Sequence, residues 1–168
     1  SVLLISRLEK SSAPIAFSEI DLDEAIHNAI RHVDLLVKSK KGSISTSFEA
    51  SDTIFRGNLN HITNLIINLL DNSIKYSDNP PKIRIITSNT SKHLVFTIED
   101  SGIGMDLTTQ KFVFEKFYRE QSGNIHNIKG HGLGLSYVKK IVDLHNGSID
   151  LFSNVGKGTT FTISFPKK

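Results

Sequence analysis

The segment NLLDNSIKYS at residues 68–77 contains two asparagines, a lysine and a tyrosine at a spacing that suits one side of a helix. At about 100° per residue, Asn68, Asn72, Lys75 and Tyr76 fall within one arc of the helix surface, at the border of its apolar face. Asparagine is a poor helix former, and burying it without hydrogen-bond partners costs free energy. The pattern therefore predicts either a cleft that takes a polar ligand or the solvated flank of an amphipathic helix.

The segment EDSGIGM at residues 99–105 ends a predicted strand with a carboxylate, Asp100, and continues with two glycines, Gly102 and Gly104. Glycine permits positive φ and a close approach of the backbone to a ligand. A buried carboxylate at the end of a strand can accept a hydrogen bond from an amino group such as N6 of adenine. The alternative is an ordinary Asp-Ser-Gly turn.

A third segment, KGHGLGLSYVKKIV, places Gly130, Gly132 and Gly134 before or at the start of a predicted helix. Free backbone N–H groups at a helix N-terminus bind phosphate. The segment is not a P-loop, because no Gly-Lys-Ser/Thr closes it, and it does not follow a strand as a dinucleotide fingerprint does. Its alternative is a flexible hinge. A fourth segment, VGKGTTF at residues 155–161, predicts a hairpin turn between two strands.

Periodic apolar patterns predict the elements that position these segments. The first helix follows Asp21 as N-cap, with Glu24 as its capping-box partner, and stops at Gly42. A second helix starts at the N-cap Asn58, and a third covers GLGLSYVKKIVDLHNG. Short alternating strands lie between the helices, and several of them form hairpins. This order predicts an α/β fold, a two-layer α/β sandwich in which a mixed sheet of about five main strands packs on three helices.

Composition limits the classes of function. The chain has 168 residues, which fits one domain. It has no cysteine, which excludes disulfides and zinc-thiolate sites. The net charge is +3, but the basic residues are spread along the chain, so no nucleic-acid partner is expected. No apolar run approaches the roughly 20 residues that a membrane span needs.

In their order and spacing, the four segments, together with a fifth, FVFEKFYR at residues 112–119, resemble the ATP-binding catalytic domain of sensor histidine kinases, a branch of the GHKL family. NLLDNSIKYS resembles the N box, DSGIG the G1 box, FVFEKFYR the F box, GHGLGL the G2 box and GKGTTF the G3 box. The resemblance covers residues 15–166. Ser73 stands where alanine is usual, and His131 where threonine or serine is commoner. Neither departure is expected to touch the chemistry.

The resemblance implies ATP and Mg²⁺ as ligands and assigns roles to single residues. Asn72 would coordinate the Mg²⁺ that bridges the ATP phosphates, and Asn68 would support that site one turn earlier. Lys75 would supply positive charge, Arg119 would reach the γ-phosphate, and Asp100 would take the adenine amino group. These residues are the implied catalytic and binding centre, with Asn72 as the metal ligand.

The remaining positions implied by the resemblance line the base or hold the phosphates. They are Tyr76, Gly102, Ile103, Gly104, Phe117, Gly130, His131, Gly132, Leu133, Gly134, Leu135, Thr159 and Thr160. Either Thr159 or Thr160 would line the adenine end, and the sequence leaves that choice open. The weakly patterned stretch 105–131 resembles the ATP lid, with residues 118–131 ordered by nucleotide.

One position separates the branches of the superfamily. Gyrase-like and chaperone members carry a glutamate one helical turn before the metal-binding asparagine, where it activates water for hydrolysis. Asn68 occupies that position here. An amide is no general base, so the resemblance implies a site that holds ATP for transfer. A related alternative is a Ser/Thr kinase or binding module of the anti-sigma-factor type.

The phosphoacceptor is expected outside this sequence, because none of the seven histidines lies in the family's acceptor context. Residues 1–14 resemble the end of a dimerisation helix and its linker, and residues 15–168 the catalytic domain. The implied partners are the protein's own dimerisation and phosphoacceptor domain and the receiver domain of a response regulator. The full-length protein is expected to be a homodimer at the inner membrane of a bacterium, with this domain in the cytoplasm.

Overall fold

A computed structural model of the protein describes residues 15–118 and 132–167. Within these ranges the elements are, in chain order, β1 (Ser18–Asp21), α1 (Leu22–Ser39), β2 (Ser43–Phe48), β3 (Ile54–Gly57), α2 (Leu59–Lys75), β4 (Lys82–Asn89), β5 (His93–Asp100), α3 (Leu107–Phe112), α4 (Gly134–Leu144), β6 (Ser148–Asn154) and β7 (Gly158–Pro166). The predicted order of strands and long helices is confirmed.

The main sheet has five strands in the order β2-β4-β5-β7-β6. The β2–β4 pair is parallel and the other pairs are antiparallel, so the sheet is mixed as predicted. Strand β5 alternates as a strand with one buried face should, with Leu94, Phe96 and Ile98 buried. Strands β1 and β3 form a separate antiparallel pair.

The two longest helices begin at the predicted caps. The Asp21 carboxylate accepts the N–H of Asp23, one residue before the Glu24 N–H that a capping box would use. At the start of α2, the Asn58 side chain accepts the N–H of His61 at 3.1 Å. Helix α2 packs between α1 and α4. It buries a continuous apolar face made of Ile62, Leu65, Ile66, Leu69, Leu70 and Ile74.

The end of α1 differs from the prediction in the role of one glycine. Lys41 adopts the left-handed conformation, with φ of 54°, and Gly42 donates its N–H to the carbonyl of Val37 at 2.9 Å. A Cβ at Gly42 would lie 2.7 Å from the carbonyl oxygen of Pro81. Gly42 is therefore needed for close approach to the chain that enters β4, and not for positive φ.

A short helix, α3, lies in the stretch that carried no clear pattern. The side chain of Asp106 caps it by accepting the N–H of Thr109 at 2.7 Å. Six residues are too few to display a helical period, so no periodic pattern predicted this element. No helix in the described ranges is both long and apolar enough to cross a membrane. The predicted dimerisation-helix remnant, residues 1–14, lies outside the described residues.

Candidate functional site

The C-terminal half of α2 faces the start of α4. A Cβ built on Gly134 would lie 3.0 Å from Oδ1 of Asn68 and 3.9 Å from Oδ1 of Asn72. Asn68 donates its Nδ2 to the carbonyl of Asn64 at 2.7 Å, which turns Oδ1 toward α4. Among the described residues, the Asn72 amide has no hydrogen-bond partner. Two amide oxygens and a helix N-terminus thus converge, as a phosphate and metal site requires.

Asp100, the last residue of β5, lies next to the C-terminal half of α2 and accepts three hydrogen bonds. Its Oδ1 accepts the backbone N–H groups of Gly102 at 2.9 Å and Thr159 at 3.2 Å. Its Oδ2 accepts the hydroxyl of Ser73 at 2.9 Å. Burial raises the pKa of Asp100, while the hydrogen bonds from Gly102, Ser73 and Thr159 lower it. This is an enclosed carboxylate with one lone-pair position left for a donor from outside.

The loop after β5 is fitted tightly against the end of α2. Ile103 donates its N–H to the carbonyl of Tyr76 at 2.9 Å. A Cβ at Gly102 would lie 2.5 Å from that same Tyr76 oxygen, so a larger residue would separate the two. The backbone at Gly102 thus approaches the end of α2 closely. The close approach to a ligand stays a prediction.

The same loop is joined to the β6–β7 hairpin. Gly104 has φ of 70°, and a Cβ there would lie 1.9 Å from the carbonyl oxygen of Asn154. Gly156 donates its N–H to the carbonyl of Ile103 at 2.7 Å. Met105 donates its N–H to the hydroxyl of Ser153 at 2.9 Å. The backbone next to Asp100 thus depends on two hairpins that are far apart in sequence.

The register of β5 and β7 distinguishes the two threonines that the sequence could not separate. Thr159 lies opposite Asp100, is buried, and exchanges a hydrogen bond with Ser153 at 2.9 Å. Thr160 lies opposite Glu99, on the other face of the sheet. Thr159 is the threonine that lies beside the carboxylate.

Lys75 and Tyr76 lie at the end of α2, next to the loop after β5. The Lys75 ammonium pairs with the carboxylate of Asp71, one turn earlier on the same helix. About a third of each side chain is exposed, and such pairs contribute little stability. A phosphate group could therefore recruit Lys75 at small cost. Tyr76 is half-buried, and its carbonyl holds the loop after β5.

The approach to α4 is shaped by Gly132, whose φ is 65°. Its carbonyl accepts the N–H of Phe117 at 2.9 Å. Leu133 and Leu135 are buried and fix the first turn of α4 on the core. The Phe117 side chain is 69% exposed, so only its backbone is anchored here.

Some of the predicted site lies outside the described residues. This holds for Arg119, Gly130 and His131, and for residues 119–131 of the predicted lid, whereas residues 105–118 of that stretch are described. Within the described ranges there is no cluster of three or more His, Asp or Glu side chains that could hold a metal ion. A metal in this site would therefore need oxygens from its ligand besides Asn72.

Ser73 is the residue of the site that sequence reasoning set aside. Its position next to Asn72 was visible, and helical spacing turned it toward the buried side. The sequence did not reveal that the end of β5 would lie within hydrogen-bonding distance of it. Its hydroxyl contacts Asp100 directly, a contact that the expectation of unchanged chemistry did not include.

Comparison with known proteins gives consistent matches. The profile of the family described as histidine kinase-, DNA gyrase B-, and HSP90-like ATPase matches residues 57–168. The sensor protein RprX of Bacteroides fragilis is 38% identical over 98% of this chain and 32% of its own length. The heme sensor protein HssS of Staphylococcus saprophyticus is 32% identical over 99% of this chain and 35% of its own. The chain thus spans about a third of these relatives.

Solved structures show the same fold. The catalytic domain of the histidine kinase ThkA has a TM-score of 0.79 and 23% identity, covering 91% of this chain and 99% of its own. Full-length ShkA in complex with AMPPNP has a TM-score of 0.82 and 17% identity, covering 99% of this chain and 35% of its own. The mixed five-stranded sheet and its helices are therefore arranged as in histidine kinase catalytic domains.

Proposed function

Because the chain belongs to the family of histidine kinase-, DNA gyrase B- and HSP90-like ATPases, we propose that it is the ATP-binding catalytic domain of a two-component sensor histidine kinase. In this proposal it transfers the γ-phosphoryl group of ATP to a histidine on another domain of the same protein. The sensor proteins RprX and HssS and the sensor-like histidine kinase SenX3, which are similar to it over nearly its whole length, support this branch of the family.

The observation that carries the proposal is the side-chain amide of Asn68, which lies on α2 and faces the start of α4. Its Oδ1 faces Gly134, where phosphates would lie at the helix N-terminus. Hydrolysis needs a group that takes a proton from water, and an amide does not do so. A site with Asn68 at this position would therefore bind and orient ATP. The acceptor histidine would be activated by groups on its own domain.

The base and the phosphates would bind at opposite ends of the pocket. Asp100 would accept one hydrogen bond from the adenine amino group, beside Gly102 and Thr159. At the other end, the free N–H groups of Gly134 and Leu135 and the charge of Lys75 would hold phosphate oxygens. We assign Arg119, which lies outside the described residues, to the γ-phosphate.

The donor set also fits Mg²⁺. The amide oxygen of Asn72 is a hard ligand without a partner among the described residues, and Mg²⁺ keeps several waters and phosphate oxygens as its other ligands. When bound, Mg²⁺ neutralises negative charge on the phosphates. Asn72 would hold and orient the metal, while Asn68 supports it from the preceding turn.

The partners follow from this role. We propose a dimerisation domain with the acceptor histidine in the same polypeptide, a homodimeric full-length protein, and a response regulator receiver domain that takes the phosphoryl group. The domain would work in the cytoplasm of a bacterium, attached to a protein at the cell membrane. These assignments rest on the relatives, of which this chain spans about a third.

Radiolabelled ATP tests the proposal. The chain is incubated with γ-labelled ATP and Mg²⁺, alone and with the dimerisation domain supplied as a separate polypeptide. We expect acid-labile label on the added domain only, and little phosphate release by the chain alone. Rapid phosphate release without the acceptor would contradict the assignment and favour a gyrase-like ATPase. Acid-stable label on an added protein would favour the Ser/Thr kinase type.

A further inference from the structure

Ser73 supplies a side-chain donor to the carboxylate at the base end of the site. The residue is 3% exposed, and its Oγ donates to Oδ2 of Asp100 at 2.9 Å. Oδ1 of the same carboxylate is saturated, because it accepts the N–H groups of both Gly102 and Thr159. Each carboxylate oxygen has about two acceptor positions. Asp100 is therefore left with one position, on the oxygen that Ser73 shares.

We propose that Ser73 is a positioning residue for the nucleotide base, which holds Asp100 ionised and turned so that its one remaining acceptor position meets the amino group of a purine. This inference rests on the proposed function, because an adenine nucleotide supplies the donor for that position. It adds a determinant of base affinity to α2, the helix that also carries Asn72.

The directions of the three donors explain how a single hydroxyl has this effect. They come from α2, from the loop after β5 and from β7, so rotation of the carboxylate about its Cβ–Cγ bond breaks at least one bond. The donors from Gly102 and Thr159 are backbone groups and do not depend on residue type. The donor from Ser73 is the one that a substitution can remove without moving the chain.

The Ser73 hydroxyl also affects the ionisation of Asp100. A buried carboxylate is disfavoured in its charged form, and donors restore that form. Burial raises the pKa of Asp100, and the Ser73 hydroxyl is among the groups that lower it. Without it, Asp100 should take up a proton at higher pH. A protonated carboxyl would direct its own hydrogen toward the adenine amino group and weaken the contact.

The experiment compares Ser73→Ala with a matched hydroxyl deletion, Ser77→Ala. Ser77 donates to the carbonyl of Ser73 at 2.7 Å and does not contact Asp100. ADP affinity of the full chain is measured by calorimetry at about pH 7.5 and about pH 5.5, on either side of neutrality. Ratios to the wild-type value at each pH remove the titration of ADP itself.

For Ser73→Ala we expect a loss of affinity of about threefold at the higher pH and a larger loss at the lower one, since loss of the hydroxyl acts on both orientation and ionisation. Ser77→Ala should stay within about twofold of the wild type at both values. Ser73→Cys, which keeps a weak donor, should fall between the wild type and Ser73→Ala. Equal affinities of the wild type and Ser73→Ala at both pH values would overturn the inference.

A second measurement does not depend on nucleotide. The ¹³C signal of the Asp100 carboxyl, assigned by its absence in Asp100→Asn, is followed against pH without ligand. The inference requires this carboxyl to titrate at higher pH in Ser73→Ala than in the wild type. Identical titrations in a wild type that binds ADP would overturn the role of Ser73 alone. A wild type that binds no ADP would overturn the proposed function, whatever the carboxyl titration shows.

Discussion

Nε2 of His145, one residue beyond α4, accepts the backbone N–H of Asn58, the N-cap of α2, at 3.1 Å. Nδ1 of the same ring lies 2.7 Å from the carbonyl of Ile141, which needs a donor, so these partners select the neutral tautomer with hydrogen on Nδ1. The ring is buried and lies 4.7 Å from that of Phe17, centroid to centroid. The start of one helix and the end of another are thus held by an imidazole that must stay uncharged.

The first prediction concerns stability against pH. Burial lowers the pKa of His145 below its ordinary value of 6.5, so the unfolded chain takes up a proton more readily than the folded one. The contribution of the neutral ring is therefore complete above about pH 6.5 and is lost as pH falls through the lower, folded-state pKa. Urea unfolding of the full chain at a series of pH values should show this decline.

His145→Gln provides the comparison. Glutamine can still accept from Asn58 but does not titrate, so we expect a cost of about 1–2 kcal/mol at neutral pH and a flatter decline in acid. His93→Gln, at an exposed position, should follow the wild type. His61 also has a pKa lowered by burial, so the decline in His145→Gln should be reduced and not abolished. An unchanged acid slope in His145→Gln would contradict the prediction.

A second prediction separates the base site from the metal site. In Asp100→Asn, Oδ1 can keep both backbone donors, while an NH₂ group faces the adenine amino group, donor against donor. We expect a loss of adenine nucleotide affinity of about 2 kcal/mol or more, with and without Mg²⁺. Asn72→Ala should weaken binding mainly when Mg²⁺ is present. Calorimetry in both buffers checks this, and equal losses for both variants in both buffers would refute the assignment.

The same asparagine variant gives a control for folding. The raised pKa of Asp100 means that the folded domain holds this proton more tightly than the unfolded chain. Stability is therefore lost as pH rises through the unfolded and then the folded pKa, and an ionised Asp100 is a cost at neutral pH. Asp100→Asn should be at least as stable as the wild type without nucleotide. Weak binding by this variant then reports on the site and not on unfolding.

The third prediction concerns the contact between α2 and α4. Gly134→Ala adds a methyl group 3.0 Å from Oδ1 of Asn68, at the end of a side chain that can shift. Alanine suits a helix better than glycine by about 1 kcal/mol, so stability should be kept. The displaced amide should weaken ATP binding by about tenfold. In an Asn68→Ala background the added methyl group has space, so Gly134→Ala should not weaken ATP binding further. A loss of about tenfold in ATP affinity on adding Gly134→Ala to that background would contradict displacement of the Asn68 amide as the cause.

A fourth prediction compares two glycines with nearly equal backbone angles. Gly104 and Gly156 have φ of 70° and 76°. A Cβ at Gly104 would lie 1.9 Å from the backbone of Asn154, whereas none of the described residues comes within 4 Å of a Cβ at Gly156. We expect Gly156→Ala to cost about 1 kcal/mol and Gly104→Ala about 3 kcal/mol or more. Thermal unfolding measures the stability of both variants. Similar losses of stability would show that the positive φ, and not the contact with Asn154, sets the cost.

Local signals predicted most of the fold. Asp21 and Asn58 are caps next to apolar helical patterns, and β4 and β5 bury every second residue over most of their length. Each of these segments can therefore be assigned from its own local sequence. The order of strands in the sheet has no such local signal. The contact of Ser73 with Asp100 depends on how α2 lies across the end of β5, which is a tertiary relationship.

The choice between Thr159 and Thr160 depended on the same kind of information. A one-residue change of register between β5 and β7 would exchange their faces, and the sequence does not state that register. The role of Gly42 was misjudged for a similar reason, because its close neighbour, Pro81, belongs to a distant segment. Residue types thus predict a chemistry for the site, while packing decides which neighbours surround each of its residues.

The bond from the Thr159 N–H to Asp100 joins residues 59 positions apart, which orders events during synthesis of the chain. At translation rates of about 5–20 residues per second, Asp100 leaves the ribosome several seconds before the strand that completes its surroundings. Products that end before β7 lack that donor and the hairpin that supports Gly104. Incomplete chains should therefore not bind ATP, and we expect nucleotide binding only by the completed domain.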